Sequence, residues 1–160
     1  MGRRAIGIVV VCVLVSLTLT LLAGCTRSKK RQLKLEPVSG TIMLAGKPGP
    51  GVTVTFVPKG NTPGYGGASV TDENGRYELK TFENEAGVPA GEYDVTCEKL
   101  VMPDGSDFSR KKGVGPIDAG AREILPPMYS DLGRTTLNAT VAPGGSKIDF
   151  DLKVSPTKGR

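Results

Sequence analysis

The sequence predicts an all-β domain: a seven-stranded antiparallel sandwich behind an N-terminal signal segment. Three observations carry this expectation. Beyond residue 24, apolar residues recur at every second position in seven separate runs. No ten-residue stretch there shows a helical stripe. Gly (22) and Pro (12) are frequent in a chain of 160 residues, which calls for many turns.

The runs follow in order. In "VSGTIML", Val38, Ile42 and Leu44 face one way with Gly40 between them. "VTVTFV" turns Val52, Val54 and Phe56 inward and Thr53 and Thr55 outward. "ASV" offers Ala68 and Val70, and "RYELKTF" offers Tyr77 and Leu79 against Arg76, Glu78 and Lys80. "EYDVTCEKL" places Tyr93, Val95 and Cys97 on one face. "TLNATV" does the same with Leu137, Ala139 and Val141, and "KIDFDLKV" with Ile148, Phe150, Leu152 and Val154. One wet face per strand fits antiparallel sheets packed face to face. Between the third and fourth runs, Asp72, Glu73 and Asn74 precede Gly75. Calcium needs six to eight oxygens, commonly from alternating carboxylates and a distant bidentate Glu, and this stretch lacks both. It reads as a hairpin turn, with Asp and Asn capping backbone groups and Gly taking positive φ.

The N-terminus has a different character. Arg3 and Arg4 precede "IGIVVVCVLVSLTLTLLA", and "LLAGC" closes the run at residues 21–25. A basic start, an apolar middle and small residues before a break make a secretory signal. Leu22-Ala23-Gly24-Cys25 resembles the bacterial lipobox. That resemblance implies diacylglyceryl transfer to the Cys25 thiol and cleavage between Gly24 and Cys25. An uncut membrane helix fits less well. Its 18 apolar residues are at the short limit of a span, and Arg27, Lys29, Lys30, Arg31 and Lys34 follow it, against the positive-inside tendency. The expected organisation is a lipoprotein signal peptide at 1–24, a basic linker at 25–36, a β-sandwich at 37–154 and a polar tail at 155–160.

Charge excludes one class of function. The net charge of the chain is +5. Arg3 and Arg4 lie in the signal, and residues 25–36 hold five basic groups against Glu36, so residues 37–160 are left with 14 basic and 15 acidic groups. A nucleic-acid binder needs a basic face on its folded part, and none is implied. Basic residues beside an acylated terminus instead favour an anionic bilayer surface, at about 1 kcal/mol each, and a chain plus such a patch anchors stably. With Cys12 in the signal and Cys25 acylated, Cys97 is the remaining thiol. The chain has no His, the usual partner of a reactive thiolate, and Cys97 reads as a small core residue.

"VSGTIMLAGKPGPGVTVTFVP", "TDENGRYEL" and "VPAGEYDVTCE" occur in that order. Together they resemble the carboxypeptidase regulatory-like domain, a transthyretin-like, Ig-like seven-stranded sandwich. The matching positions are Gly40 and Thr41, then Gly46, Lys47 and Pro48, then Thr71, Asp72, Gly75 and Tyr77, and finally Pro89, Gly91 and Tyr93. "PPMYSD" and "LNATVAPGGSKIDFDLK" are similar to the ending of small bacterial lipoproteins built on this domain. The resemblance spans most of residues 37–154. It implies a surface or envelope role and an accessory or binding module without catalytic residues; no cofactor or metal site is expected.

Residues 101–134 depart from the pattern and show no alternation. Loops this long are functional or disordered. The segment has five basic and five acidic residues, and Arg110, Lys111 and Lys112 form its charge run. Two readings stand: a solvated flap over a sheet edge, or a partner-binding loop using Phe108, Arg110, Lys111 and Lys112. In either, "ILPPMYSD" would return Ile124, Leu125, Met128 and Tyr129 to the body. Three function classes follow, in order. The first is a membrane-anchored, non-enzymatic envelope lipoprotein whose domain binds or scaffolds envelope components, a protein or a glycan, facing the periplasm or the exterior. The second is a carbohydrate-binding module. It has few aromatics to offer, with Tyr65, Phe82 and Phe108 scattered candidates for exposure. The third is a carboxylate-dependent hydrolase, for which no Asp or Glu pair is singled out by spacing.

Overall fold

The computed structural model describes residues 33–108 and 113–153, all in the compact unit Leu33–Arg160. The signal peptide, Cys25, Arg110, Lys111, Lys112 and the tail lie outside the described residues. Among the described residues, no helix is long and apolar enough to cross a membrane.

The seven alternating runs all contain strand. They are β1 (Val38–Leu44), β3 (Thr53–Pro58), β4 (Gly67–Val70), β5 (Arg76–Glu78) with β6 (Lys80–Thr81), β7 (Gly91–Glu98), β10 (Leu137–Val141), and β11 (Ser146–Lys147) with β12 (Phe150–Leu152). Three further two-residue strands are β2 (Lys47–Pro48), β8 (Leu100–Val101) and β9 (Arg122–Glu123), and one helical turn, α1, spans Pro127–Ser130. The strand total is therefore twelve: two runs are broken, and short pairs form at turns.

Two five-stranded sheets result. One has the order β10-β7-β3-β4-β6, antiparallel throughout. The other is centred on β1. Ser39 faces Glu78 of β5 on one edge and Lys147 of β11 on the other. β12 continues β11 in unbroken register, with Ile42 opposite Phe150. This last pairing is parallel, against the all-antiparallel expectation. Alternation cannot separate the two arrangements, because a parallel strand with one wet face has the same period of two.

The run at 76–81 leaves one sheet and joins the other. β5 pairs with β1, and β6 pairs with β4. The change occurs at Leu79, whose N–H donates to Val38 O while its carbonyl accepts from Gly87 N. The turn at Asp72–Gly75 therefore joins two sheets and is not the expected hairpin between paired strands. It is still a tight turn: Asp72 Oδ1 accepts from the N–H of Asn74 (2.9 Å) and of Arg76 (2.8 Å).

Both sheets contribute to one core. Phe56 lies 6.4 Å from Tyr77 across the sheets and 5.7 Å from Tyr93 within its own, centroid to centroid. Ile42, Val52, Val54, Leu79, Val88, Val95, Val141 and Leu152 fill the rest. Burying each aliphatic side chain of this kind is worth about 1.5–3 kcal/mol over exposure. Ile148 and Phe150, expected inward, are half-buried and pack on its margin. The expectation for β4 fails in phase. Val70 is 61 % exposed, and Gly67 is the buried residue of the strand. A side chain there would meet Lys80 O and Val88 Cγ1, so the inward position has room only for glycine. Ile124 and Met128 are also exposed, whereas Leu125 and Tyr129 enter the core as expected.

Candidate functional site

β7 gives the domain two ends. Its eight residues run about 25 Å, at 3.2–3.4 Å per residue, from Gly91 to Glu98. At the Gly91 end stand the loop 59–66, the turn 82–85 and the first described residues. Leu33 Cδ1 and the Pro89 ring both lie against Gly64, and Glu36 exchanges backbone hydrogen bonds with Val88 (2.8 and 3.1 Å). At the Glu98 end stand the turns 45–51 and 72–75 and the base of the 101–134 segment.

That base is firmly tied. β8 follows β7 directly and pairs with β9, Leu100 opposite Glu123. The Glu123 carboxylate accepts from the N–H of Lys99, 3.1 Å to each oxygen, and from Leu125 N at 2.6 Å. The Lys99 ammonium donates to Asp107 Oδ1 and to Pro50 O, both at 2.6 Å. The Lys99 side chain is only 11 % exposed, so its charge is held by these partners more than by water. Asp107 also bridges Val101, and Phe108 N donates to Leu100 O. The chain thus reaches Phe108 on a fixed track. Further on, Leu125 and Tyr129 anchor the return, and Tyr129 Oη accepts from Lys153 N.

Of the sequence-derived site residues, Phe108 is half-buried at this base, so it is less available than expected. Arg110, Lys111 and Lys112 follow it in the chain but lie outside the described residues, as does Cys25. Cys97 is fully buried, and burial pushes its thiol up to about 12, with the Glu123 carboxylate adding to the effect. That is the state of a packed, unreactive thiol.

Several carboxylates are committed to structure. Glu36 is held below the ordinary carboxylate range by the Lys34 ammonium and then by the Gly144 N–H. Asp104 is held low by the Ser106 hydroxyl and N–H. Asp149 accepts from Thr41 N, and Asp131 from Gly133 N. Among the described residues, no group of three or more Asp, Glu or Cys is placed to hold a metal ion.

One feature was not found by sequence reasoning. A shallow cleft of about 320 Å³ opens at the Gly91 end between Lys59–Pro63 and Ala90–Glu92. Thr62 Oγ1 spans it, donating to Glu92 O and accepting from Glu92 N. Lys59 pairs with Asp94 at 3.0 Å. The cleft depends on a contact 30 residues apart in the chain, and no local motif announces it. The two most exposed aromatics share this end. Tyr65 is 82 % exposed and Phe82 62 %. Gly67 is opposite Thr81 in the β4–β6 ladder, so Tyr65 and Phe82 both lie beyond the same end of that ladder.

No family model matches the chain, and no curated protein matches it. Among solved structures it is similar to BcpA, the major pilin subunit of Bacillus cereus, at 12 % identity and TM-score 0.39, covering 76 % of this chain and 30 % of that one. It is also similar to a 9R-lipoxygenase from Cyanothece PCC8801, at 16 % identity and TM-score 0.34, covering 91 % and 21 %. The chain spans less than a third of either protein, and likeness at this level carries no weight for fold or function.

Proposed function

We propose that the protein is a membrane-anchored envelope lipoprotein whose non-catalytic domain presents a partner-binding segment away from the bilayer. One observation carries the reading: the point where the chain enters the domain, Leu33, and the base of the 101–134 segment lie at opposite ends of the same sheet. From Cys25 to Leu33 is eight residue steps, a reach of at most about 28 Å. An acyl anchor on Cys25 would therefore hold Leu33, at the Gly91 end, within about 28 Å of lipid and leave the Glu98 end free to face outward.

Other features support the same reading. Tyr93 Oη donates to Pro89 O at 2.7 Å, the tyrosine corner typical of Ig-type sandwiches. This favours the transthyretin-like, carboxypeptidase regulatory-like identification, within which the parallel β1–β12 pairing must be accommodated. The buried thiol and the committed carboxylates favour a scaffold over a hydrolase.

The test has two arms. Mass spectrometry of the membrane fraction should find diacylglyceryl on a Cys25 terminus, and Cys25→Ser should leave the precursor uncut. Capture from envelope extract with the acylated protein should then fall several-fold in the triple variant Arg110→Ala, Lys111→Ala, Lys112→Ala. Phe108 is left in place because it is half-buried. Unchanged capture by a folded triple variant would reduce the segment to a flap, and a Cys25 terminus without lipid would remove the anchor.

A further inference from the structure

We infer that the Gly91 end is a bilayer-contacting surface, with Tyr65 and Phe82 the side chains that enter the lipid interface. The inference rests on the lipid-anchor reading above and adds to it an orientation. An anchored domain need not touch its membrane: a reach of about 28 Å also permits a domain that swings freely. Here the chain enters beside the exposed aromatics, since Leu33 lies against Gly64, the residue before Tyr65. What distinguishes this end from the exposed aliphatics Val70, Ile117 and Leu132 elsewhere is that its exposed residues are aromatic and stand beside the chain entry, and Tyr in particular suits a boundary that is apolar on one side and wet on the other.

The contact is apolar rather than electrostatic. Glu83 and Glu85 follow Phe82 and are exposed. Lys34 is paired with Glu36, and Lys59 with Asp94. Attraction to anionic headgroups thus falls to Arg27, Lys29, Lys30 and Arg31 of the linker, while insertion falls to the aromatics. A glycan is the competing occupant, because a cleft adjoins. In that cleft the Thr62 hydroxyl is taken up by the Glu92 backbone and the Lys59 ammonium by Asp94, so a sugar would be left chiefly the Asn61 and Glu92 side chains. The bilayer also has the advantage of tethering, which keeps it at high effective concentration.

The chain contains no Trp, so single substitutions give unique fluorophores. Phe82→Trp and Tyr65→Trp are made at exposed positions, and Lys47→Trp, in the exposed β2 at the Glu98 end, is the control. Each acylated full-length mature chain is reconstituted in phosphatidylcholine vesicles, plain or brominated on the upper acyl chain. Brominated lipid should remove most of the emission of the Phe82→Trp and Tyr65→Trp variants and spare that of Lys47→Trp. Thermal unfolding confirms that each variant is folded. If neither aromatic position is quenched while mass spectrometry finds lipid on Cys25, the contact is refuted and the anchor stands. A Cys25 terminus without lipid refutes both. Equal quenching at all three positions refutes a defined orientation. Emission of the Phe82→Trp variant that answers to soluble cell-wall glycan and not to brominated lipid assigns the surface to sugar instead.

Discussion

Tyr77→Phe tests how the first sheet is held together. Tyr77 is 2 % exposed, and its hydroxyl donates to Ile148 O at 2.7 Å. Ile148 sits at the break between β11 and β12. Its N–H is used by Ser39 O, and the tyrosine reaches its carbonyl from across β1. It can do so because Gly40, opposite Tyr77 in the ladder, has no side chain. A Cβ at Gly40 would stand 1.8 Å from Ile148 O and 2.9 Å from the Tyr77 ring. Removing the hydroxyl loses a hydrogen bond of net worth about 1 kcal/mol and leaves a carbonyl that costs about 1–3 kcal/mol if buried without a partner. Ile148 is half-buried, so water recovers part of the second amount, and a loss of about 1.5–2 kcal/mol is expected. For a domain of this size that is roughly 5–10 °C in Tm. Urea unfolding of the mature chain, followed by circular dichroism, should show a lower midpoint at unchanged slope. Gly40→Ala should cost more than Tyr77→Phe, because backbone has to move. A Tyr77→Phe midpoint equal to the unsubstituted protein, or a neutral Gly40→Ala, would refute the account of how β5, β1 and the C-terminal strands are joined.

Gly75→Val should destabilise by about 2 kcal/mol or more, since Gly75 has φ 73° and its Cβ would fall 2.5 Å from Ile42 O; a melting curve checks it. Calcium should leave the melting temperature of the unsubstituted protein unchanged, because Asp72 Oδ1 already serves two backbone donors. Glu36 has a folded pKa below its ordinary 4.5, so its contribution is present above that value and lost as pH falls through the lowered one. Glu36→Gln should therefore be less stable than the unsubstituted chain at pH 7. The gap should close on acidification below 4.5, as calorimetry across that range would show; a gap that widens would contradict the assignment.

Much of the fold was legible because each strand buries one face and leaves the other wet. That pattern found Val52, Val54 and Phe56, and likewise Tyr93, Val95 and Cys97, without ambiguity. It failed where the inward position is occupied by no side chain at all. In β4 the core-facing residue is Gly67, and the neighbouring Ala68 and Val70 took its place in the reading. It was silent on the change of sheet at Leu79, because alternation continues unbroken through it. The candidate site was less legible for a related reason. Leu125 and Tyr129 are buried while Ile124 and Met128 are not, and nothing periodic separates them, since the segment is fixed by single long-range contacts. Lys99 with Asp107, and Thr62 with Glu92, are contacts of that kind.

The change of sheet at Leu79 also bears on how the two ends can work independently. Two stacked sheets joined only by loops can slide, and sliding would couple any event at one end to the other. Here one continuous run, Arg76–Thr81, is hydrogen-bonded into both sheets, to β1 through β5 and to β4 through β6. Leu79 itself is buried at the crossing and is bonded on both sides. Shear between the sheets would have to break this run's pairing on one side or the other, at about 1 kcal/mol for each exposed hydrogen bond and more for buried ones. The Tyr77–Ile148 bond lies on the same run and adds to that resistance. A block of this kind keeps its Gly91 and Glu98 ends at a fixed separation while the loops on each vary. Substitutions at Phe82 and Tyr65 should consequently leave the proposed partner capture through the 101–134 segment unaltered, and substitutions in that segment should leave the Gly91 end as it is. A response of one end to changes at the other, in folded protein, would mean that the sheets do slide and that the crossing strand does not hold them.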